Sequence, residues 1–310
     1  MFSKLGRSIY FPVMLIAVAL ILFIDAFAII MFADTVEDAY TGSGQSRAAR
    51  ALDLCTLYIN SVSANTYNLA ADEEIIAELE NPTGRTIISK LDAVCNYTLK
   101  VDGVCIYSKS GAVYTSSEMA EPPTLDELER SEGIAQFAED DSQAYVSLRT
   151  ENIADIYHNV SYPDELGVVT CCRKIYGESG DVVGLIFADI LPSNLYDYAL
   201  SGSAFDGATV FISSGNIFFG YGGNEQSEEL LTGGGEHFRF EVSSDELPLT
   251  VTVFDDKGEY NAMVWTLTGA LGGVSVMLII GVHFAAKRTA TAFTSRLDKL
   301  AAKMNAQNIP

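Results

Sequence analysis

The side chains of this chain best suited to chemistry are its cysteines, histidines and acids, and their spacing decides what they could do. The five cysteines, Cys55, Cys95, Cys105, Cys171 and Cys172, include one adjacent pair and no C-x2-C spacing, so the usual zinc pattern is missing. An odd count leaves at least one thiol unpaired. Cys171 and Cys172 fall in a strand-like run, where successive side chains point to opposite faces, so they do not easily pair with each other. Most of these thiols read as small core residues, with a redox role as the alternative. The histidines are His158, His237 and His283. No H-E-x-x-H, no phosphate loop and no Ser/His/Asp order is visible among them. Acids are abundant enough to hide a carboxylate pair, but no motif marks one. The expectation is therefore no catalytic residue, no metal and no cofactor: the chain is not read as an enzyme.

The elements that must position any site begin with two apolar stretches. Hydrophobic residues make up 48% of a chain whose formal net charge is −22, which implies very apolar segments beside a strongly acidic remainder. Residues 11–33 carry a single charge, Asp25, and residues 263–286 none besides His283. Each is long enough for a helix to cross the hydrocarbon core. Lys4 and Arg7 precede the first span, and Lys287 and Arg288 follow the second, so residues 1–10 and 287–310 are expected in the cytoplasm and residues 34–262 outside. The first span is longer than a signal-peptide core and lacks a small-x-small site, so it reads as an uncleaved anchor. The outer segment holds 12 Lys+Arg against 39 Asp+Glu. Such an exterior argues against nucleic acid or anionic lipid as its partner and suits solubility, or a cationic ligand. Asp25 is costly inside a span, so it is protonated, paired in a dimer, or near the outer interface.

Between the spans, residues 46–79 show Leu52, Cys55, Tyr58, Ile59, Val62 and Leu69 at helical spacing, a long helix with a hinge or kink plausible at Gly42–Gly44. A shorter helix is expected over 87–94. Residues 102–115, "DGVCIYSKSGAVYT", read as a hairpin, and "DGATVFISSGNIFF" at 206–219 aligns with it without a gap. Ile106 then faces Val210, and Tyr107 faces Phe211. Two further strand pairs are read at 168–176 with 182–187, and at 237–242 with 249–254. Residues 133–165 show no clear pattern. Short helices are expected at 125–128, 191–200 and 228–231. The two halves look like tandem α+β units, each with a small antiparallel sheet.

In this order of elements the sequence resembles a double Cache sensor domain, a pair of tandem PAS-like modules that forms the input of bacterial sensor histidine kinases and chemoreceptors. The resemblance is carried by "VDGVCIYSKSGAVYTSS", by "VVTCCRKIYGESGDVVGLIFADILPSNLYDYAL" with Gly184, Asp189 and Leu195 at the family's places, and by "VTVFDDKGEYNAM" leading into the second span. It covers about residues 35–286. It implies an α+β fold: the long helix, a membrane-distal module over about 85–190, a membrane-proximal module over about 201–256, and two flanking transmembrane helices. It also implies a ligand pocket in the distal module, between its sheet and a long loop. Asp189 matches an aspartate with which some members hold amino acids. Their Arg-x-Trp-Tyr cluster is absent, since the single tryptophan, Trp265, lies in the second span; the ligand class is left open. Tyr145, Arg149, Tyr157, His158 and Arg173 are the polar and aromatic residues nearest that region. Asp189 has a second reading of its own: it could cap the helix beginning near Leu191 as well as accept a ligand's ammonium group.

The inner tail has Leu297, Leu300 and Met304 at spacings of three and four. It resembles the first helix of a HAMP-type linker, or forms a juxtamembrane amphipathic helix. Gly269 and Gly273 are spaced for close helix approach in a membrane homodimer, or merely loosen the span. The expected function is extracellular small-molecule sensing with transmission across the lipid bilayer, the input of a histidine kinase whose output would lie beyond residue 310. A chemoreceptor input and an anchored surface binding protein are the alternatives.

Overall fold

Helix α1 runs from Lys4 to Ala70 without a break in this computed structural model. The structure describes residues 4–82, 86–97, 101–119, 121–130, 132–152, 156, 166–199, 208–214, 217–220, 237–247 and 249–307. They fall into two units, Met1–Gly42 with Lys257–Pro310, and Ser43–Asp256.

In the second unit α1 differs from expectation at its C-terminal end. Helical hydrogen bonding runs through Gly42–Gly44. A Cβ on Gly44 would come within 2.1 Å of the Phe240 ring, so the glycine admits a neighbouring side chain. The helix expected over 46–79 is two helices, because Asp72 caps a separate α2 (Glu73–Glu80). Its carboxylate accepts the N–H groups of Glu74 at 2.9 Å and Ile75 at 3.2 Å, satisfying amides that a helix start leaves without partners. Helix α3 (Thr86–Tyr97) follows.

Two antiparallel sheets pack on one stripe of α1. The first contains β1 (Gly103–Ser108), β2 (Val113–Thr115), β3 (Ala144–Asn152), β4 (Leu166–Tyr176) and β5 (Val182–Ile190), in the order β2-β1-β5-β4-β3. The second contains β6 (Ala208–Ser214), β7 (Ile217–Gly220), β8 (His237–Ser243) and β9 (Thr250–Asp256), in the order β7-β6-β9-β8. The orders repeat: a first hairpin, then the last strand against its first strand, then that strand's hairpin partner. The first sheet adds β3 at its edge. Ala48, Ala51, Leu52, Cys55, Tyr58, Ile59, Val62 and Leu69 form the buried stripe, at the helical spacing read from the sequence. Ile106, Cys171 and Ile186 of the first sheet and Val210, Val251 and Val253 of the second join it in one core. The quoted hairpins thus present aligned residues, Ile106 and Val210, to the same helix.

Two short helices, α4 (Leu125–Leu128) and α5 (Glu132–Glu139), accompany a second core on the other face of the first sheet. There Leu128, Ile134 and Phe137 cluster with Tyr107, Val168, Cys172 and Phe187. Neither α5 nor β3 was legible. In β3, Ser147 and Arg149 are both buried at 4% exposure, so polar residues occupy inward positions and mask the strand alternation. Helix α6 (Pro192–Ala199) links β5 to the second sheet. The helical turn expected at 228–231 lies outside the described residues.

The other unit pairs the first part of α1 with α7 (Gly258–Gln307). Both helices are long and apolar enough to cross a membrane. They meet as an antiparallel pair. Tyr10 Oη lies 2.5 Å from His283 Nδ1, Ser275 Oγ donates to the Asp25 carboxylate, and the Tyr40 and Tyr260 rings meet edge-on at 6.1 Å. Asp25 therefore finds a polar partner within its own chain. A Cβ on Gly269 or Gly273 would meet nothing within 4 Å, so these glycines do not serve the helix contact within the chain.

Candidate functional site

Strand register assembles three polar side chains on the face of the first sheet that looks away from α1. Thr170 of β4 lies opposite Asp189 of β5, and on β3 Ser147 lies opposite Thr170 and Arg149 opposite Val168. Arg149 therefore reaches diagonally across β4. Its Nη2 donates to Asp189 Oδ2 at 2.7 Å and its Nε to Thr170 Oγ1 at 2.7 Å. The Thr170 hydroxyl in turn donates to Asp189 Oδ1 at 2.7 Å. The ion pair is sealed, with side-chain exposures of 3% for Arg149 and 1% for Asp189. Charge-assisted hydrogen bonds strengthen in such a setting, and removing either partner would strand a buried charge.

The structure also assigns the helix cap. Asp102, at the foot of β1, takes the Leu191 N–H at 2.7 Å and the Asn194 side-chain amide, leaving Asp189 turned toward Arg149. Asp102 was missed as a functional residue; the signal for it was only that it opens the first hairpin.

Further along the same face, Tyr145 stacks on Phe137 with ring centroids 6.0 Å apart. It is 38% exposed. Gly133 makes room for its hydroxyl, since a Cβ there would lie within 2.1 Å of Tyr145 Oη. Lys174, also missed, is buried beside them. Its Nζ donates to the Asp140 carbonyl, sits 3.7 Å from the Asp140 carboxylate and lies 5.1 Å from the Phe137 ring centroid. Cation–π and stacking contacts thus converge on Phe137.

Arg173 does not belong to this group. It faces α1, donating to Thr66 Oγ1 at 3.1 Å and to the Ser63 carbonyl at 3.4 Å, with its guanidinium 5.4 Å from the Tyr67 ring centroid. Strand parity is the reason: Arg173 lies between Cys172 and Lys174, which point the other way. Tyr157 and His158 lie outside the described residues. The adjacent cysteines obey the same parity. Cys171 donates weakly to the Ile59 carbonyl of α1 at 3.8 Å, whereas Cys172 packs in the opposite core. Burial, and then the charge of Asp189, pushes the Cys171 thiol up to about 12, and burial raises Cys172 well above its ordinary range. Neither is a ready nucleophile at neutral pH.

No family model matches this chain, and no curated protein matches it. Among solved structures it is similar to periplasmic and ligand-binding domains of bacterial receptors. One is the ligand-binding domain of the amino acid chemoreceptor PctC of Pseudomonas aeruginosa PAO1 in complex with GABA, at 13% identity and a TM-score of 0.47, over 71% of this chain and 98% of that one. A second is the LuxQ periplasmic domain of Vibrio cholerae, at 10% identity and 0.45, over 69% and 98%. The ligand-binding domain of the Pseudomonas fluorescens chemoreceptor CtaA with L-isoleucine is a third, at 14% and 0.46, over 74% and 96%.

Proposed function

We propose that this chain is the input part of a membrane receptor, whose Ser43–Asp256 unit binds a small molecule outside the cell. The helices of the other unit would carry the change inward, with both termini in the cytoplasm as the flanking Lys and Arg residues favour. One observation carries the reading: the sealed trio Arg149, Thr170 and Asp189, beside the apolar core of its face. A buried ion pair is a poor stabiliser compared with apolar residues of the same volume, so its presence is better explained by recognition or switching. The guanidinium offers a donor fork and Asp189 an acceptor. A ligand with complementary groups would exchange partners with both, favouring one of two packings of the face. The repeated strand order supports reading the sheets as two PAS-like modules, and the reading takes the first as distal and the second as proximal to the membrane. Histidine kinases are the receptor class this input would serve, acting as a homodimer through the spans.

The test is a thermal shift of the full chain in lipid nanodiscs against amino acids, amines, carboxylates and sugars. A ligand at a hundred times its Kd adds about 2.7 kcal/mol. A shift present in the parent and lost in a folded Asp189→Asn variant supports the reading. Silence across the library sinks it.

A further inference from the structure

We infer that Tyr196 couples the candidate site to the second sheet, through α6. The inference rests on reading the Arg149–Thr170–Asp189 trio as the site where the signal begins.

Helix α6 is tied at its start to the strand ends that carry Asp189. Asp102 N–H donates to the Asp189 carbonyl at 2.9 Å, and the Asp102 carboxylate accepts the Leu191 N–H at 2.7 Å. Leu191 is two residues beyond Asp189, so displacing the end of β5 must displace the first turn of α6. At the other end Tyr196 is 2% exposed and reaches the backbone of β6. Its hydroxyl donates to the Val210 carbonyl at 2.8 Å and accepts the Ile212 N–H at 3.1 Å. A side chain that only filled space would need neither contact. With both, the hydroxyl engages two backbone groups of one strand, as a neighbouring strand does, and fixes α6 to β6 in one register.

From β6 the path to the membrane helix is backbone. Val210 pairs with Val253 and Ala208 with Asp255 on β9, and β9 ends at Asp256, two residues before α7 starts at Gly258. A second route exists, because both sheets share the apolar stripe of α1. Apolar contacts slide, whereas a hydroxyl holding two backbone groups transmits displacement in a defined direction. That difference assigns the coupling to Tyr196, as a positioning residue.

Hydrogen exchange on the full chain in nanodiscs tests this in four backgrounds: parent, Asp189→Asn, Tyr196→Phe and the double variant. Asp189→Asn is expected to speed exchange in β4 and β5, and in β9 by about fivefold, the size of one hydrogen bond. Tyr196→Phe keeps the ring and loses the hydroxyl; in its presence the β9 response should vanish while that of β5 remains. An equal β9 response with and without the hydroxyl would overturn the inference in favour of the α1 route. No β9 response in either background would also overturn it. Should Asp189→Asn not fold, Thr170→Val perturbs the same trio without removing a charge. An empty ligand screen with coupling retained would remove the ligand reading and leave the coupling standing.

Discussion

Each sheet closes on a strand that carries an aspartate paired to an arginine, yet the two pairs face opposite ways. The ungapped alignment of the hairpins places Val104 on Ala208. Val104 pairs with Ala188, and Ala208 with Asp255. Asp255 thus holds the place of Ala188, one residue short of the place of Asp189. A shift of one residue sends a strand side chain to the other face. Asp255 accordingly faces α1 and bonds Arg47 there, with side-chain exposures of 22% for Arg47 and 10% for Asp255. Asp189 faces away and is sealed against Arg149. The first pair ties a sheet to a helix at the rim of the unit. The second lies wholly within a sheet, where water cannot replace either partner.

That contrast can be broken by experiment. Arg149→Ala should cost about 3–5 kcal/mol in chemical unfolding of the full chain, because Asp189 is left charged and buried. Arg149→Lys should recover only part, since one ammonium cannot reproduce the Nε and Nη2 contacts together. Arg47→Ala should cost less, about 1–3 kcal/mol, because the partly exposed Arg47 side chain leaves room for water to reach the Asp255 carboxylate. Equal costs for the two arginines would refute the distinction between a sealed and a rim pair.

A third carboxylate extends the series toward solvent. Asp72 bonds Lys90 at 2.6 Å with exposures of 29% for Asp72 and 26% for Lys90. Burial works against its ionisation, but the Lys90 hydrogen bond and the Ile75 and Glu74 amides outweigh it and hold the carboxyl below its ordinary value of 3.8. A lowered folded-state pKa stabilises above the unfolded value and is lost as pH falls through the folded one. Asp72→Asn should therefore weaken the fold slightly at neutral pH and flatten this part of its acid response. A pH series of unfolding midpoints for parent and variant checks the sign.

Much of the frame was legible in residue order. The stripe Leu52, Cys55, Tyr58, Ile59, Val62 and Leu69 is buried as its spacing requires, and the hairpins stand where alternation and glycine turns placed them. Gly111 adopts φ +88°, as the turn of the first one demands. The failures have physical causes. The packing role of Gly44 was invisible because its ring neighbour, Phe240, is 196 residues away. Arg173 looked like a pocket residue because proximity along a strand says nothing of its face unless parity is counted. The cap of α6 was sought at Asp189, next in sequence, and is supplied by Asp102, 89 residues before Leu191.

The sequence by itself determined two apolar spans, an acidic segment between them, and the helix stripe and hairpins of that segment. These follow from local periodicity, which any stretch of chain carries within itself. Only the tertiary structure decided which charges meet. Arg149 and Asp189 stand 40 residues apart, and their pairing depends on the register of β3 on β4 and β4 on β5. Register is set by how whole strands fill a shared core, a property that no single segment contains.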